Sequence, residues 1–124
     1  MRLFAAGFLI AAVVMPLAAH HSFDAEFDAN KTQTLKGVVT NVEWVNPHAY
    51  ISFVMTGPKG QENFKVELGP PYALTRGGWK RDTVKIGDTI TVENAAMAKD
   101  GSNYAGATRD TFLILSTGEK MVMR

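Results

Sequence analysis

The residues of this chain best suited to hold a metal ion are its three histidines, His20, His21 and His48, all in the first half. His20 and His21 are adjacent and directly follow Ala18-Ala19. A cut after Ala19 makes His20 a new N-terminus, whose α-amino group and imidazole can chelate one ion through two nitrogens. Both groups titrate near or just below neutral pH, so each can shed its proton for a metal at modest cost. His21 and His48 can add nitrogens, and a nitrogen-rich tetragonal set favours copper(II) over magnesium or calcium. Neighbouring histidines in an extended arm point in opposite directions, which disfavours a three-nitrogen zinc site. The competing expectation is a polar lead-in without a metal, and a His48 that only caps a turn.

Other chemistry is sparse. Met97, Met121 and Met123 offer soft sulfurs, and Met121-Val122-Met123 places two on one face of a strand, but methionine is more often an adaptable core filler. No cysteine nucleophile and no Gly-x-Ser-x-Gly elbow occur, and Ser22 in a short arm lacks the oriented base and third group of a triad. Gly77-Gly78 has no lysine-serine pair after it, so no phosphate loop is expected. The expectation is therefore a binding module and not an enzyme. Tyr72, Arg76, Trp79 and Lys80, with Tyr50, form the second candidate site, aromatic faces and cations suited to a small molecule, a glycan or a partner protein.

Two features set the address. Met1-Arg2, an apolar run from Leu3 to Met15 and then Pro16-Leu17-Ala18-Ala19 have the form of a secretory signal over residues 1–19. The run is shorter than the roughly 20 residues of a spanning helix, and no membrane span is expected after its removal. The expected location is periplasmic or secreted. Loss of Arg2 takes the formal charge from +1 to neutral, which removes the bulk electrostatic drive toward nucleic acid. With no cysteine, the exported domain must be held by its core alone.

These residues must be positioned by strands. Thr32 to Val45 alternates in period two, with Val38, Thr40, Val42 and Trp44 on one face and Val39, Asn41, Glu43 and Val45 on the other. His48 to Thr56 offers Ile51, Phe53 and Met55 to a core and Tyr50, Ser52 and Val54 to the other side. Asn46-Pro47 between these runs should loosen the pairing and leave His48 beside the corner. Gly57-Pro58-Lys59-Gly60 is a turn, and Asn63 to Leu68 a third strand with Lys65 and Glu67 on its wet face. Tyr72 to Arg76 predicts a short helix ended by Gly77-Gly78. A fourth strand follows Gly87-Asp88, Lys99 to Asn103 forms a loop, and Thr111 to Leu115 and Lys120 to Met123 supply the last strand material. Three strands, a helix and further strands is the order of a small five-stranded Greek-key barrel of the oligonucleotide/oligosaccharide-binding (OB) type, an all-β fold. An open β-sandwich is the alternative. Residues 20–33 are expected as an arm pinned by Phe23 and Phe27, and residues 34–124 as the barrel.

The segments His20-His21-Ser22-Phe23, Trp44-Val45-Asn46-Pro47-His48, Leu74-Thr75-Arg76-Gly77-Gly78-Trp79 and Lys85-Ile86-Gly87-Asp88, with Phe27-Asp28 and Lys36-Gly37-Val38-Val39, together resemble an uncharacterised family of small exported bacterial proteins. It is catalogued only as a domain of unknown function. The resemblance spans nearly all the chain after residue 19 and implies a periplasmic or secreted single domain, with no established activity. The expected function is an exported binding module taking copper through His20, His21 and His48. The alternative is an interaction domain that binds a small molecule, glycan or periplasmic protein on the barrel face.

Overall fold

A computed structural model of the chain describes residues 23–124. The expected signal and the two adjacent histidines, His20 and His21, lie outside the described residues. The strands are β1 (Phe27–Glu43), β2 (Tyr50–Gly57), β3 (Gly60–Glu67), β4 (Thr89–Ala98), β5 (Tyr104–Gly106), β6 (Phe112–Ile114) and β7 (Lys120–Val122), with helix α1 (Pro71–Arg76) between β3 and β4. Hydrogen-bonded neighbours run β1-β2-β3-β5-β4, and β4 returns to β1, so five strands close into a barrel. The all-β barrel and the place of the helix are as the sequence predicts. The β6–β7 hairpin hangs on β4 outside this ring.

The closing element is the shortest strand of the ring. Tyr104, Ala105 and Gly106 pair in parallel with Lys65, Val66 and Glu67, while Ala105 and Gly106 pair antiparallel with β4. Strand β1 starts at Phe27, so much of the expected arm is already sheet, paired through Phe27↔Ala98 and Asp28↔Met97. A helical turn over residues 23–26 precedes it.

The faces of β1 do not follow one unbroken alternation. Leu35 and Val39 are buried, and Val38 is 45% exposed. The register with β2 then slips between Val39 and Asn41, and Val42 and Trp44 pack on the core. An extra residue in one strand moves the following side chains to the opposite face, so the set Val38, Thr40, Val42 and Trp44 is split by a bulge. A Cβ on Gly37 would lie 2.5 Å from the Val54 carbonyl oxygen, so glycine lets β1 and β2 approach here.

Ile51, Phe53, Phe64, Val66, Ile90, Val92 and Leu113 fill the interior. Met121 and Met123 join them, which places these sulfurs in packing. Helix α1 ends with the Gly78 amide donating to Thr75 and the Trp79 amide to Leu74, with Gly78 at φ +101°. This Schellman closure turns the chain inward and delivers the Trp79 ring to the core.

Candidate functional site

The site is built at one rim of the barrel, where the β1–β2 connection passes the end of β3. The last pair of the first hairpin is Glu43↔Tyr50, and a loop containing a cis Asn46–Pro47 bond spans the gap. The Ala49 amide donates to the Gly69 carbonyl, and the Leu68 amide donates to the Ala49 carbonyl. This double tie holds Ala49 against the residues following β3, and places His48 over Glu67.

His48 Nδ1 lies 3.0 Å from Glu67 Oε1, with side-chain exposures of 32% and 12%. The other carboxylate oxygen accepts the Tyr104 hydroxyl at 2.8 Å. A carboxylate so far removed from water needs donors on both oxygens, and here each has one. Because Glu67 accepts, Nδ1 is the donor nitrogen, and in a neutral imidazole so oriented the lone pair lies on Nε2. Burial and the adjoining Glu67 charge raise the Tyr104 hydroxyl pKa far above its ordinary value, so this group stays a donor. The Tyr104 ring is 4.9 Å from Phe27, whose own ring is 4.9 Å from Phe23.

Among the described residues, no three of His, Cys, Asp and Glu converge as a metal cluster. His48 alone of the expected ligands is therefore in view, oriented but without a second ligand. The other expected binding residues separate into pairs. Tyr50 lies under Lys65, 4.3 Å from ammonium to ring, and Lys65 also bridges to Glu43 at 3.1 Å. Tyr72 is 64% exposed with Arg76 5.6 Å from its ring. Trp79 does not belong to that surface: it is 3% exposed, and its indole N–H donates to the Val122 carbonyl at 2.6 Å. Of the surface expected from Tyr50, Tyr72, Arg76, Trp79 and Lys80, Trp79 is thus withdrawn into the core by the helix closure.

Glu67 and Tyr104 are the functional candidates that reading the sequence overlooks. Glu67 looks like one more solvated strand residue, yet the turn contains its position. Counting back along the hairpin from Gly57↔Gly60 brings Tyr50 opposite Glu67, beside the His48 corner. Nothing comparable signals Tyr104, which sits on a strand too short for any periodicity.

A family model described as a family of unknown function, DUF6152, matches residues 8–107, which spans the barrel through β5 and the whole His48–Glu67–Tyr104 network. No curated protein and no solved structure matches the chain.

Proposed function

The chain belongs to the family of unknown function DUF6152, and we propose from its own residues that it is a small exported copper(II)-binding module. The observation that carries this reading is the Tyr104–Glu67–His48 network. A carboxylate that fixes one nitrogen of an imidazole and leaves the other free is the usual outer support of a metal-bound histidine. His48 Nε2 is then the barrel's ligand. The remaining nitrogens come from His20 and His21, with His20 also giving its α-amino group once the chain is cut after Ala19.

Chain order supports this assembly, since His20 and His21 lead into the residue that begins the network's line of contacts. Contacts run unbroken from Phe23 through Phe27, Tyr104 and Glu67 to His48. His21 and His20 precede Phe23 by two and three residues, a reach of about 7–11 Å for extended chain. An amine and imidazoles make a nitrogen set that copper(II) prefers among common divalent ions. The module would hold the ion on the far side of the inner membrane, where its signal-like segment directs it.

His48→Ala tests the reading on the barrel side. Copper(II) affinity should fall while the fold survives, because His48 is half-exposed and outside the core. An unchanged affinity would remove His48 from the site.

A further inference from the structure

A second site lies outside this network. Phe23, Asp24, Ala29, Thr108, Arg109 and Arg124 line an open cavity of about 290 Å³ between the start of the described chain and the β5–β6 loop. We propose that this cavity binds a free α-amino acid, with Arg109 and Arg124 taking its carboxylate and Asp24 its ammonium.

The charges are the first reason. Among the described residues the ion pairs are Lys65–Glu43 and Lys120–Glu93, and Glu67 is taken by His48, so neither arginine nor Asp24 is spent in such a contact. Two permanently charged guanidinium groups therefore share a wall with the Asp24 side chain. An incoming carboxylate meets flat, bidentate donors, and Asp24 remains to accept from an ammonium.

Restraint is the second reason. The Arg124 guanidinium donates to the Ala107 carbonyl at 3.3 Å and stacks 4.9 Å over the Phe23 ring. The loop that carries Arg109 is tied on both sides. Thr111, fully buried, donates its hydroxyl to the Asn94 carbonyl and accepts from the Thr108 amide, each at 2.8 Å. The Asn94 side chain donates to the Asp110 carbonyl at 3.2 Å. Lys99 Nζ holds the Asp24 carbonyl from behind. The Arg124 guanidinium and the backbone that carries Arg109 and Asp24 are thus in place before the ligand arrives, which lowers the freedom lost on binding. Phe23 and Ala29 supply an apolar wall for the ligand's side chain, and the volume suits an amino acid.

The test is an amide-resolved NMR titration of the protein with L-leucine and two analogues. Leucinamide lacks the carboxylate, and 4-methylpentanoate lacks the ammonium. Leucine should give saturable shifts at Phe23, Asp24, Thr108 and Arg109, and each analogue should bind about tenfold more weakly or worse, one charge-assisted bond being lost. Arg109→Gln and Arg124→Gln should weaken leucine by a similar factor. Asp24→Asn should abolish the preference for leucine over 4-methylpentanoate. Absence of saturable shifts, equal affinity in Arg109→Gln, or 4-methylpentanoate binding the wild type as tightly as leucine would each overturn the proposal. Copper plays no part in any arm.

Discussion

His48 and Glu67 meet at 3.0 Å although 18 residues of hairpin separate them, because Tyr50↔Glu67 is a register pair and His48 sits two residues before it. The turn at Gly57 and Gly60 sets that register, and the Ala49–Gly69 tie seats the loop. The orientation of the imidazole is therefore a property of the barrel, independent of whatever reaches Nε2.

Removing the orienting carboxylate should expose its role. Glu67→Ala should lower copper(II) affinity about 10- to 100-fold, the usual effect of losing an outer-shell partner. It should also destabilise the fold by ~1–3 kcal/mol, since the half-buried Tyr104 hydroxyl loses its acceptor. Copper titration and urea unfolding of the same variant separate the two effects. Unaltered affinity would mean that His48 needs no support from Glu67.

Tyr104 predicts an alkaline limit. Its folded-state pKa is raised by burial and by Glu67, so the neutral form is the one the fold favours. A raised pKa gives a contribution that is fully present below the unfolded value, about 10, and is lost as pH climbs above it. Urea midpoints should therefore drop above about pH 10, and Tyr104→Phe should show a shallower drop. Phenolate absorbance of wild type and Tyr104→Phe should coincide until unfolding begins. Extra phenolate in the folded wild type would contradict the assigned donor role.

Tyr72 in the helix and Trp79 just beyond it should behave oppositely. Trp79→Ala empties a core position and should cost ~3–5 kcal/mol. Tyr72→Ala, on a 64% exposed residue, should stay within about 0.5 kcal/mol. Denaturant unfolding of both variants decides whether Trp79 is structural, and a stable Trp79→Ala protein would return it to the surface.

How far the sequence reaches can be seen residue by residue. Ile51 and Phe53 face the core as their alternation says, and Gly77-Gly78 ends the helix where a left-handed residue is needed. Local rules suffice there because each pattern lies within one element. In β1 the alternation fails at the bulge after Val39, an irregularity that depends on its partner strand and leaves no mark in a single chain. Tyr104 fails for a related reason: three residues become β5 only because β3 and β4 both bond to them. His48 at a corner was legible from Pro47. Glu67 beneath it required the register, and Trp79 as core required the helix closure.

The most direct measurement is copper(II) titration of protein beginning at His20, beside the same protein carrying one additional residue before it. The extra residue converts the His20 amine into an amide and leaves every side chain in place. Tight binding that the extension abolishes, and that His48→Ala weakens, is the predicted result. Weak binding of equal strength in both proteins would contradict a copper site at the His20 terminus.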